Sequence, residues 1–167
     1  MAEAQAILAA AEGEALAPLF GFVLYTGLRL GEALGLRWAD VDLEAGRVTV
    51  RDNRVPVGGR MGEGAPKREK SARTMAMLAG AVDALKRQRA LQAQARLAAG
   101  DAWRNEDRVF ASREGGGLDA SNVDRAFRRI RERAAVRGLP LHSLRHATAS
   151  ILLGAGAPGR RWPWPPR

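Results

Sequence analysis

Leu24-Tyr25-Thr26-Gly27-Leu28-Arg29-Leu30-Gly31-Glu32 is the stretch where an apolar helix ends and a charged junction begins. From Ala15 to Thr26 the chain is apolar almost all round, as a helix buried on every side would be. Gly27 breaks that run. A short helix from about Leu30 to Leu36 should follow, placing Arg29 at the junction with Glu32 one turn on. Upstream, Ala4, Ile7, Leu8 and Ala11 recur at helical spacing as far as Gly13. Tyr25 lies inside the apolar helix and reads as a core residue.

Downstream the periodicity changes. Val48 and Val50 alternate with Arg47, Thr49 and Arg51, the pattern of a strand. Gly58-Gly59 marks a turn; residues 54 to 65 are expected as a weak second strand and Arg73 to Leu78 as a third, forming a small antiparallel sheet. The loop between those two strands carries Pro66-Lys67-Arg68-Glu69-Lys70. Helix returns from about Ala79 to Ala99 and stops at Gly100-Asp101; residues 101 to 118 are expected as a loop interrupted by Val109-Phe110. Ser121-x-x-Asp124 resembles a capping box opening a helix with Val123, Phe127, Ile130 and Ala134 on one face and Arg125, Arg128, Arg129 and Arg133 on the other. Gly138-Leu139-Pro140 separates it from a last helix, His142 to Leu153. Pro158, Pro163, Pro165 and Pro166 forbid a regular helix beyond. The fold class expected is α+β, mostly helical, with a three-stranded antiparallel sheet.

Composition bounds the partners. With 167 residues and 46% apolar content, the chain can bury one core. Lysine and arginine outnumber aspartate and glutamate 27 to 18, so a net charge of +9 favours an anionic partner, nucleic acid ahead of a membrane surface. The absence of cysteine excludes disulfides and thiolate metal sites. No apolar run reaches the roughly 18 residues of a membrane span, and no secretory leader is evident, so a cytoplasmic setting is expected.

Three motifs in order carry a resemblance. Leu24 to Glu32 continues as Leu34-x-Leu36-Arg37-Trp38-x-Asp40-Val41-Asp42; Pro66-Lys67 is followed by Ser71-x-Arg73-Thr74; and Leu141-His142-x-Leu144-Arg145-His146-x-x-Ala149 comes last. Together they resemble the first arginine box, the β-hairpin lysine motif and the second arginine box of the tyrosine recombinases, the phage integrase family, over residues 3 to 158. The resemblance implies a mostly helical catalytic domain, of the DNA breaking-rejoining fold, that grips double-stranded DNA and forms a 3′-phosphotyrosyl intermediate without metal or cofactor. It also implies site roles. Arg29 and Arg145 would meet the charge of a phosphorane-like transition state, since guanidinium forks match phosphate oxygens in charge and geometry. Lys67 would protonate the leaving 5′ oxygen, and His142 would handle a proton or donate a hydrogen bond at the same phosphate.

Each assignment has a plainer rival. Taken alone, Arg29 reads as a helix-start arginine paired with Glu32, and the surrounding box favours the phosphate role. Lys67 competes with Lys70, and either suits a solvated loop. His142 and His146 are four apart, a metal-ligand spacing, yet they are the sequence's only histidines and no cysteine accompanies them. The arginine face holding Arg125, Arg128 and Arg129 reads as a solvated surface or as a set of phosphate contacts that give affinity rather than sequence preference; Lys70 belongs with the second reading.

The sequence also departs from the family pattern. The numbering begins at what should be the first helix of the catalytic domain, without the helical clamp domain that usually precedes it. Beyond Pro158 the segment from Gly159 to Arg167 resembles neither the family's third box nor its tyrosine region, and its glycine, arginine, tryptophan and proline fit a frameshift in a GC-rich gene. Residues 1 to 158 are therefore expected as a partial catalytic domain and 159 to 167 as a disordered tail, with apolar surface exposed on the last helix. Three functions suit that organisation: a DNA-binding remnant unable to cleave alone, a module that interferes with an intact recombinase by occupying its site or its protomer contacts, or an enzyme completed in trans.

Overall fold

The computed structural model describes residues 2–51, 54–57, 60–63, 72–145 and 148, with only the backbone of 54–57 and 60–63. Helix α1 (Ala2–Ala10) buries Ala4 and Ile7. Helix α2 (Ala17–Thr26) starts with a proline in its first turn, where the missing N–H is no loss, and buries Leu19, Phe20, Phe22, Val23 and Leu24. It is the centre of the molecule. Phe20 packs on Phe127 with ring centroids 5.4 Å apart, and Phe22 on Phe110 at 5.5 Å, so different faces of the helix reach different neighbours. Helix α4 (Ala79–Ala99) lies alongside α2 at close range. A Cβ on Gly80 would stand only 2.6 Å from the Tyr25 ring, so glycine is required there for the two helices to approach. Tyr25 is accordingly packed between helices.

The sheet forms with a different membership from the one the periodicity suggests. Strands β1 (Val41–Asp42), β2 (Arg47–Val50) and β5 (Arg73–Ala76) make the three-stranded antiparallel sheet in the order β1-β2-β5, with Val41 opposite Val48 and Val50 opposite Arg73. The expected second strand is instead a separate two-stranded hairpin, β3 (Arg54–Val57) with β4 (Arg60–Glu63). Asp42 explains why. Its carboxylate accepts the N–H groups of Glu44 (3.1 Å) and Ala45 (2.8 Å), and Gly46 takes a φ of 60°, closing a tight turn that brings β1 onto β2. With β5 on its other edge, β2 has no edge left for residues 54–63.

Helix α5 (Ala120–Arg133) buries Val123, Ala126, Phe127 and Ile130 and exposes Arg125, Arg128 and Arg129. Its cap is Asp119 rather than Ser121. The Asp119 carboxylate accepts both the backbone N–H (2.7 Å) and the hydroxyl of Ser121, and these bonds hold its carboxyl below the ordinary aspartate value. Ala134 is half-buried at the helix end, and Val136 takes up the apolar face beyond it. Of the expected last helix, a 3-10 turn (Leu141–Ser143) leads into helical Leu144 and Arg145. The stretch from 149 to 153 and the segment 159–167 lie outside the described residues. Among the described residues no helix is long and apolar enough to cross a membrane.

Candidate functional site

The site begins at the end of α2. Gly27, at φ 64°, caps the helix by donating its N–H to the Val23 carbonyl at 2.8 Å, a left-handed turn that costs glycine little. Thr26 is buried, its hydroxyl donating to the Phe22 carbonyl at 2.6 Å and accepting the Leu28 N–H at 3.4 Å. Leu28 is buried as well, so the chain is pinned on both sides of the glycine and Arg29 emerges exposed. Arg29 is the N-cap of α3 (Leu30–Gly35), in extended conformation.

Glu32 then organises the cations around it. Its side chain is 7% exposed; Oε2 accepts the backbone N–H of Arg29 at 2.9 Å and Oε1 accepts Arg73 Nη2 at 2.9 Å. The carboxylate thus holds the helix start and strand β5 together. The Arg145 guanidinium faces the same cluster: its pKa is lowered by burial first, then by the positive charge of Arg29, with Glu32 opposing and Arg73 adding to the fall. One guanidinium, that of Arg73, pairs with the carboxylate, and the charges of Arg29 and Arg145 act on each other beside it. The segment carrying Arg145 is fastened to α2, because Leu141 and Leu144 are buried and the Thr148 hydroxyl donates to the Leu24 carbonyl at 2.6 Å.

The structure therefore brings Arg29 and Arg145 to one place from opposite ends of the sequence. His142 is exposed on the 3-10 turn that leads to Arg145. Lys67, Lys70 and His146 lie outside the described residues. Arg125, Arg128 and Arg129 share the exposed side of α5, whose last turn reaches Glu14 through an ion pair from Arg133. Arg73, which has no role in the motif reading, pairs with Glu32, a partner 41 residues away that its own neighbourhood does not signal. Among the described residues no group of three or more histidine, cysteine, aspartate or glutamate side chains is placed to hold a metal ion.

Comparison with known proteins matches this framework. The family model described as the phage integrase family matches residues 1–161, and the chain belongs to that family. It is 38% identical over 166 residues to an integrase of Streptomyces ambofaciens, covering 94% of this chain and 42% of that protein. It is 33% identical over 168 residues to an XerC-like tyrosine recombinase of Caldanaerobacter subterraneus subsp. tengcongensis, covering 93% and 43%. The chain thus spans less than half the length of these relatives. Among solved structures, XerA recombinase superposes with a TM-score of 0.71 at 25% identity, over 93% of this chain and 50% of that one. The Tn1549 transposon integrase, solved in complex with circular intermediate DNA, shares the fold with a TM-score of 0.70 at 20% identity, over 93% and 53%.

Proposed function

We propose that these residues are the phosphate-gripping part of a tyrosine recombinase: they bind duplex DNA by seating one backbone phosphate between Arg29 and Arg145, and form no phosphotyrosyl linkage by themselves. The observation that carries this reading is the convergence of Arg29, Arg73 and Arg145 around Glu32. Burial and the positive charges of Arg29 and Arg73 disfavour the charged form of Arg145, with Glu32 opposing them. An anion placed beside these guanidinium groups favours their charged forms. A phosphate diester supplies both the charge and the paired oxygens that guanidinium groups recognise. The family and the relatives, which are named for recombination and integration, make DNA the source of that phosphate.

Arg125, Arg128 and Arg129 extend the contact along the duplex, and Lys67 and Lys70 would approach from the segment after β4. Phosphate contacts of this kind position a protein and carry no sequence information. Strand cleavage is a separate matter. The sequence has one tyrosine, and Tyr25, expected as a core residue, is half-buried with its ring packed against Gly80 of α4. Two measurements test the reading. Arg29→Ala or Arg145→Ala should weaken capture of a phosphate-like oxyanion; no effect at either position removes the site. A suicide substrate carrying a nick should yield no covalent adduct with this chain, and a covalent adduct would overturn the second half of the proposal.

A further inference from the structure

We propose that Arg108 is a positioning residue for the phosphate site, acting through the far end of α3; this rests on the reading of Arg29 and Arg145 given above. Arg108 is only 5% exposed, an expensive place for a charge unless its donors are engaged. Its Nη1 donates to the Gly35 carbonyl at 3.3 Å, and its Nε lies 3.7 Å from the Glu106 carboxylate. Gly35 is the last residue of α3, where helix carbonyls lack intrahelical partners and the negative end of the helix dipole favours a cation.

The backbone on either side of Arg108 makes the attachment a clamp. Val109 donates its N–H to the Leu36 carbonyl and Trp38 donates to the Asp107 carbonyl, both at 3.0 Å, while Arg37 and Arg108 pair in an antiparallel bridge. The Asp107 carboxylate accepts the Ala39 N–H at 3.1 Å from a left-handed conformation, φ 55°. On the opposite side, Gln92 donates to the Arg108 carbonyl at 2.7 Å and Gln88 to the Val109 carbonyl at 3.0 Å, so the clamp is anchored on α4. Helix α3 has six residues, about 9 Å of rise, too short to hold its own shape. Arg29 is its N-cap and Glu32 lies in its first turn. Its direction is therefore set at one end by Glu32 and Arg73 and at the other by Arg108, and the buried guanidinium fixes where Arg29 points.

The test uses the full chain labelled with nitrogen-15, following the Nε–Hε resonances of Arg29 and Arg145 while orthovanadate is titrated. Arg108→Met keeps most of the side-chain volume and removes the donor. It should shift the Arg29 resonance in the anion-free protein and weaken vanadate binding about tenfold, since small displacements of a positioned group carry large penalties. Arg108→Lys should recover part of the affinity, because an ammonium reaches one carbonyl but lacks the guanidinium fork. Ile130→Val, a core change on α5, should leave affinity within about twofold, which separates positioning from general loss of stability. An Arg108→Met chain that folds with an unmoved Arg29 resonance and unchanged affinity overturns the proposal. Should that variant fail to fold, Arg108→Lys takes its place, since it keeps the charge and loses the guanidinium fork; an unmoved Arg29 resonance with unchanged affinity there overturns it equally. A wild-type chain that ignores vanadate while the Arg29 resonance still moves on substitution overturns the phosphate reading and leaves the mechanical link standing.

Discussion

Glu32 is the residue on which the cation cluster turns. A carboxylate with both oxygens engaged by donors, one of them charged, contributes more than a neutral hydrogen bond, so Glu32→Ala should lower the unfolding free energy by about 2 kcal/mol. Glu32→Gln should cost roughly half of that, because one oxygen can still accept while the charge is lost. Urea unfolding midpoints for the two variants check the order. Glu14 offers a pH test. The hydrogen bond from Arg133 holds its carboxyl below the ordinary glutamate value, with the charges of Arg133 and Arg129 adding to the effect and burial opposing it. A folded-state pKa below the unfolded one means that the contribution is complete above the unfolded value, about 4.3, and is lost as pH falls through the folded value. Wild type should therefore lose more stability in that acid window than Arg133→Met; equal acid profiles would remove the pair from the account.

At the scale of elements, the helices were legible and the sheet only partly so. Helix α4 has the bounds its composition suggests, and α2 was readable because a helix apolar on all sides announces its own burial. Sheet membership was not legible, since alternation marks a strand without naming its partner. What decided the matter was Asp42 and Gly46, two residues whose turn chemistry recruits a two-residue strand too short to show any period. The α5 cap was misplaced by two positions for a similar reason: Asp119 and Ser121 are both good caps, and only the bond from the Ser121 N–H to the Asp119 carboxylate separates them. Asp119→Ala should destabilise the fold by about 1 kcal/mol, with Ser121→Ala costing less, measurable by thermal unfolding. Of the candidate site, the meeting of Arg29 and Arg145 was expected from their motifs, whereas the contacts of Arg73 and Arg108 were not, because their partners are distant in sequence and their own neighbourhoods look like ordinary strand and loop. Close approach of α2 and α4 is equally invisible in the pattern. Gly80→Ala forces a methyl group into the Tyr25 ring and should cost about 1–3 kcal/mol, read from the same unfolding curves.

The whole molecule presents a chain of net charge +9 in which one exposed helix face carries Arg125, Arg128 and Arg129. Duplex affinity should fall steeply with salt, and Arg128→Ala should lower the slope of log affinity against log salt by about 0.9 while weakening binding equally on unrelated sequences. Binding that does not respond to a salt titration would remove the phosphate-dominated account. The bond from the Thr148 hydroxyl to the Leu24 carbonyl has a consequence for how such a molecule is made. Arg29 leaves the ribosome before Arg145; at translation rates of about 5–20 residues per second, the interval between them is on the order of ten seconds. During that time the nascent chain has Arg29 without Arg145, and α2 has no Thr148 to close over Leu24. Synthesis order therefore acts as a delay: under the proposed reading, the two arginines can meet one phosphate only after the whole stretch between them has been translated.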